Sequence, residues 1–189
     1  MGVRKNRIEM LGGFRQRGLT LIELMVGVAV LSILVSMAVP SFNSLMRKQE
    51  FKSQLGLIRS TLAFVRTEAI TRKTNIAMCG SSDGVSCVGS KDWSGGWIVF
   101  VDSDDDGEFD TGEDILRTGG DAGGKSKIDV VTASAKAIRY QASGESGDGV
   151  SALCLSADSA LSGSVSDNSR TFHISKVGSF RVARGTICP

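Results

Sequence analysis

Eight carboxylates and no basic side chain lie within residues 102–114, DSDDDGEFDTGED. Asp102, Asp104, Asp106, Gly107, Asp110 and Glu113 fall on positions 1, 3, 5, 6, 9 and 12 of a twelve-residue calcium loop, and Glu108 adds another oxygen donor. Hard cations take such oxygen-rich rings, and carboxylates gathered without a counter-charge repel one another. The expected metal ligands are therefore Asp102, Asp104, Asp106, Glu108, Asp110 and Glu113, and the expected cation is Ca2+. The flanking runs 98–101 and 115–117 read as strands, which argues against a helical EF-hand and keeps a plain hairpin turn as the alternative.

No other pattern suggests catalysis. A glycine-rich phosphate loop, a G-x-S-x-G elbow and a zinc pattern are all missing, and His173, the only histidine, falls in a strand-like run. With no nucleophile–base pair in view, the chain reads as a non-enzyme that requires no cofactor. Four cysteines, Cys79, Cys87, Cys154 and Cys188, are too widely spaced for a metal cluster and fit two disulfides in an oxidising compartment. Three pairings are open; the expectation is Cys79 with Cys87, closing a short Gly/Ser loop, and Cys154 with Cys188, pinning the C-terminus.

The element that must place this domain lies at the N-terminus. Residues 19–39, LTLIELMVGVAVLSILVSMAV, are apolar apart from Thr20, Glu23 and two serines. At 1.5 Å per residue they reach across a ~30 Å hydrocarbon core. Ahead of them stand Arg4, Lys5, Arg7, Arg15 and Arg17 against the single acid Glu9. That local +4, removed from a whole-chain charge of +2, leaves −2 for the remainder. The basic flank sets the N-terminus in the cytoplasm, and the rest of the chain is no polycation, which disfavours bulk nucleic-acid binding. An ordinary secretory signal cut after Ser36-Met37-Ala38, releasing a secreted calcium-binding protein, is the alternative. It fits poorly, because the apolar run exceeds the usual h-region and holds Glu23, a costly group in a membrane that calls for a partner.

The string Gly18-Leu19-Thr20-Leu21-Ile22-Glu23-Leu24 resembles the class III signal of type IV pilins and type II secretion pseudopilins. That resemblance implies that prepilin peptidase cuts between Gly18 and Leu19 and that Leu19 is N-methylated. It further implies that Glu23 pairs with the N-terminal amine of a neighbouring pilin or pseudopilin, and that Pro40 marks a helix kink. Leu19 stands where the family more often has phenylalanine. A Glu-to-amine pair among packed apolar helices would offset a desolvation that neither charge tolerates alone, and would set axial register.

Beyond Pro40, Phe51, Leu55, Ile58, Leu62, Val65 and Ala69 recur at steps of four and three, one face of an amphipathic helix reaching about Arg72. Lys48, Glu50, Lys52, Arg59, Arg66 and Glu68 read as its solvated face. From Asn75 the pattern changes to short runs at 76–79, 97–101, 115–117, 127–131, 137–141, 152–156, 171–175 and 180–183, read as antiparallel strands of a sheet packed on the helix. The fold class is α+β, with Trp93 and Trp97 as core aromatics. The expected organisation is a leader at 1–18, a membrane and assembly helix at 19–39, an amphipathic helix at 40–72 and a β domain at 73–189.

The run from Trp93 through Asp102, with Asp106-Gly107, Gly112-Glu113 and Ile115-Leu116-Arg117, resembles the GspH/FimT branch of pseudopilins and minor pilins. The resemblance implies a filament tip subunit assembled at the bacterial inner membrane, for type IV pilus biogenesis or type II secretion, with its C-terminal domain in the periplasm. It also implies that the acidic run turns a hairpin and that 176–185 forms a terminal hairpin. Some relatives bind DNA there, which makes Lys176, Arg181 and Arg184 candidate phosphate contacts for DNA uptake. Three cations are few for that task.

Overall fold

The computed structural model describes residues 18–121, 126–131, 136–148, 151–157 and 168–184. The expected leader, apart from Gly18, lies outside them, as does Cys188. Two compact units make up the chain, Met1–Phe42 and Asn43–Pro189.

Helix α1 runs Leu21–Arg72 and contributes to both units. Thr20 starts it: its hydroxyl accepts the Glu23 N–H at 3.3 Å and its carbonyl accepts the Leu24 N–H at 3.2 Å. Thr20-Leu21-Ile22-Glu23 thus has the spacing of a capping box, with Glu23 in the first turn, where the helix dipole favours an acid. At the other end Glu68 pairs with Arg72 one turn on, and Lys73 takes a left-handed φ of 55° that stops the helix. The helix continues through Pro40. The side chains of 37–41, Pro40 among them, lie outside the described residues.

In the second unit eight strands follow: β1 Ile76–Gly80, β2 Trp97–Val101, β3 Ile115–Gly119, β4 Ser126–Val130, β5 Ala137–Tyr140, β6 Ser151–Ala157, β7 Ser169–Ile174 and β8 Phe180–Arg184. All pairings are antiparallel. The expected single sheet is corrected to two, ordered β3-β2-β1-β5 and β4-β6-β7-β8. The division has a local cause. Strand β5 returns to the free side of β1, while β4 bonds residues 91–93 on its outer side, through Trp93 N–H to the Ile128 carbonyl and Val130 N–H to the Lys91 carbonyl, each at 2.8 Å.

Both sheets turn one face to the same helical stripe. Phe51, Ile58, Leu62, Val65 and Ala69 are buried against Met78, Val99 and Ile138 of the first sheet and against Ile128, Leu153, Leu155, Phe172 and Ile174 of the second. Each of the larger side chains, Ala69 excepted, contributes roughly 1.5–3 kcal/mol relative to leaving it in water. Trp93 and Trp97 are buried in this core as expected, lying over Gly80 and Gly119, where a Cβ would overlap the indoles. A second, smaller core sits on the opposite face of the first sheet, where Ala77, Cys79, Ile98, Phe100 and Ala137 are covered by Cys87, Phe109 and Ile115.

Candidate functional site

Gly18 and Leu19 precede α1 outside regular structure, and both are exposed. A Cβ on Gly18 would meet nothing within 4 Å, so its peptide is open to approach. Every described residue from Gly18 to Ser36 is exposed, including Leu21 at 78 % and Ile33 at 61 %. A helix apolar on all sides needs cover from lipid or from other helices. Among the described residues, however, no helix is long and apolar enough to cross a membrane. Of the apolar run 19–39, the side chains described end at Ser36.

The acidic residues 102–114 form the β2–β3 hairpin connection, flanked by strands. Asp102 is fully buried at its root, and its carboxylate accepts the N–H groups of Asp106 at 3.1 Å and Gly107 at 3.2 Å. Burial pushes the Asp102 carboxyl above its usual range, against the pull of those two N–H groups. Asp105 and Gly107 take the positive φ values, 63° and 77°, that close the loop. Glu113 spans it: one oxygen accepts Ser103 N–H at 2.8 Å and the other accepts Asp110 N–H at 3.1 Å. Asp102, Asp104 and Asp106 each bring a carboxylate oxygen within 4.8 Å of the others, the first buried and the other two exposed. No such convergence joins Glu108, Asp110 or Glu113 to them among the described residues.

The counter-charge thought to be missing is Arg139 on β5. Its guanidinium donates to the Asp105 carbonyl, lies 3.4 Å from the Asp105 carboxylate and pairs with Asp148 at 2.8 Å. Backbone N–H of Arg139 also donates to Asp148 at 3.0 Å. Between hairpin and β5 lies a polar cavity of about 250 Å3, lined in part by Asp106, Glu108, Lys136 and Asp148. Phe109 turns inward from the hairpin into the smaller core.

Cys79 and Cys87 are joined by a disulfide across a Gly/Ser loop. Within it Asp83 accepts Val85 N–H and Ser86 N–H, both at 2.9 Å, and the hydroxyls of Ser86 and Ser81; the Ser86 hydroxyl foremost holds its carboxyl well below the usual range. Cys154 is disulfide-bonded as well.

Lys176 lies in the β7–β8 turn, while Arg181 and Arg184 lie on β8, so sequence neighbours do share one hairpin. Arg181 stands opposite His173 on β7, and both are exposed. Arg66, read from sequence as part of a solvated face, instead donates to the carbonyls of Gly144 at 3.1 Å and Val177 at 3.0 Å, tying the turn after β5 to the β7–β8 turn. Gly178 (φ 74°) permits the close approach, since a Cβ there would overlap the Gly144 carbonyl. Helical spacing placed Arg66 off the apolar stripe, and no sequence signal marked its partners, which are backbone atoms.

A capped helix with an apolar, uncovered N-terminal half and a two-sheet body on its C-terminal half defines a pilin-like subunit. The family comparisons are specific. The prokaryotic N-terminal methylation motif matches residues 13–39, and the type II transport protein GspH model matches residues 56–178. The chain belongs to the GspH family, and is a minor pilin or pseudopilin of the type IV pilus or type II secretion class. Its fold is similar to the crystal structure of the type IV minor pilin FimU of Pseudomonas aeruginosa strain PAO1, at 18 % identity and a TM-score of 0.54 over 72 % of this chain and 90 % of that one. The minor pseudopilin EpsH of the type 2 secretion system of Vibrio cholerae is also similar, at 14 % identity and 0.49 over 71 % and 97 %. These relatives are structural subunits rather than enzymes. No curated protein matches the chain with significance.

Proposed function

We propose that the chain is a non-enzymatic filament tip subunit made as a precursor. Prepilin peptidase cuts between Gly18 and Leu19, Leu19 is N-methylated, and residues 19–39 hold the subunit in the bacterial inner membrane with its body in the periplasm. The apolar helix then leaves lipid by packing against the helices of other pilins or pseudopilins, where Glu23 meets a neighbour's N-terminal amine. The observation that carries this reading is the exposed Gly18-Leu19 junction directly ahead of a capped, uncovered apolar helix. Intact mass of the mature protein tests it: a chain starting at methylated Leu19 is expected. A chain starting at Val39 would mean an ordinary signal peptide and a secreted protein.

The convergence of Asp102, Asp104 and Asp106 supports a second, additive reading, a divalent cation at the hairpin. Calorimetry with Ca2+ should show uptake that Asp104→Ala weakens; a flat trace leaves the loop as a turn held by Arg139.

A further inference from the structure

We propose that residues 45–52 of α1 seat the subunit on the periplasmic surface of its membrane, with Leu45 and Met46 in the headgroup layer and Lys48 and Lys52 on anionic phospholipid headgroups. This rests on the reading that residues 19–39 lie in the inner membrane. Leu45 and Met46 are 58 % and 46 % exposed. They stand roughly 120° and 140° around the helix from Phe51, the first residue of the buried stripe, so the β body leaves them bare. Bare apolar side chains beside lysines on one helix are the composition of an interfacial segment.

Their depth follows from the helix rise. Counted from Val39, the end of the apolar run, Leu45 and Met46 come after ~9 and ~10.5 Å of helix, Lys48 after ~13.5 Å and Lys52 after ~19.5 Å. Helical side chains lean toward the N-terminus, here toward the bilayer, and an extended lysine stem carries its ammonium several ångströms back. The polar layer outside a ~30 Å hydrocarbon core is about 5–7 Å deep on each side. Leu45 and Met46 therefore reach that layer, Lys48 reaches its phosphates, and Lys52 lies within about a Debye length of them.

Charge selects the same partner. Between Glu23 and Glu50 the chain carries no acid, and its only charged side chains there are Arg47 and Lys48. Glu50 itself is half-buried and already engaged. Lys48 and Lys52, one turn apart, are exposed and make no ion pair among the described residues. An anionic lipid surface gains from both cations and meets no acid on this stretch to repel it. A second copy packed in parallel fits less well, since it would bring these lysines near their own kind. The contact belongs to the subunit before assembly, because α1 gives up the leaflet when it joins other helices.

The test reconstitutes the full chain in vesicles of phosphatidylcholine and phosphatidylglycerol. Electron spin resonance of spin-labelled lipids then measures how far the protein's boundary shell prefers phosphatidylglycerol over phosphatidylcholine. Lys48→Gln with Lys52→Gln should cut that preference at least about twofold at low salt. The leader's own cations act equally in both proteins, so the difference isolates the pair, and about 0.5 M salt should abolish it by screening. Lys48→Arg with Lys52→Arg should keep the preference. Arg59→Gln, ~30 Å of helix past Val39, should leave it unchanged. Circular dichroism checks that each variant stays folded. Equal preference in the wild type and the Gln pair overturns the proposal, as does an equal loss on Arg59→Gln. So does a Gln pair that alters only self-association, read by cross-linking. A chain that fails to float with the vesicles overturns the membrane reading too, whereas one that floats without the lysine-dependent preference overturns this proposal alone.

Discussion

Phe109 meets Phe100 edge to face, with ring centroids 5.4 Å apart and planes at 76°. The pair fastens an eight-carboxylate hairpin to the outer face of the first sheet, so the most charged segment of the protein is held by an apolar contact at its middle. Phe109→Ala should cost about 2 kcal/mol, below the usual range for a fully buried ring because this one is only half-buried. Thermal unfolding followed by near-UV circular dichroism measures it, and a loss under about 0.5 kcal/mol, typical of a surface change, would show the hairpin is held otherwise.

Arg139 and Asp148 form the polar counterpart. Replacing Arg139 with Met leaves Asp148, largely buried, without its counter-charge and with the backbone N–H of residue 139 as its remaining contact from that residue. A loss of about 2 kcal/mol is expected, less than for a fully buried pair because water reaches the guanidinium. Adding Asp148→Asn should recover part of it, so a double-mutant cycle that is strictly additive would speak against direct coupling.

Tyr140 is the only tyrosine in the chain, and burial pushes its hydroxyl up to about 12, slightly opposed by Arg66. The folded state therefore keeps a proton that the unfolded chain releases near its usual value of 10.0. Stability should fall as pH rises from about 10 to about 12. A near-UV absorbance titration should show phenolate in the native protein about two pH units later than in urea. Because this hydroxyl has no hydrogen-bond partner among the described residues, Tyr140→Phe should be neutral or mildly stabilising.

Reducing the Cys79–Cys87 bridge, or replacing both residues with Ala, should lower stability by about 2.5 kcal/mol from the freedom restored to a short loop in the unfolded chain. Denaturant titration with and without reductant measures the difference. Cys79 also packs in the smaller core, so the Ala pair tests the bridge together with a modest loss of packing.

Patterns of spacing revealed the parts of the fold that depend on which way a side chain faces. The stripe Phe51, Ile58, Leu62, Val65 and Ala69 is buried as its helical period required, and all eight strand-like runs became strands. Strand partnership was not legible. Alternation says that Ile138 points inward but not that β5 joins β1 rather than β4, a choice made by contacts distant in sequence. The same limit hid Arg139 and Arg66. Each looks like an isolated surface cation in its own segment, and its significance comes from carbonyls and carboxylates as many as 111 residues away. The acidic run was conspicuous by composition, yet its inward anchor, Phe109, passed for a loop residue because periodicity has no meaning across a turn.

The two tryptophans lie close against glycines in the core, and the first unit, Met1–Phe42, contains neither tryptophan nor tyrosine. The protein is therefore built with a silent half and a luminous one. Indole emission will report the integrity of the body alone, undimmed by whether the apolar helix sits in lipid, in detergent or among its neighbours.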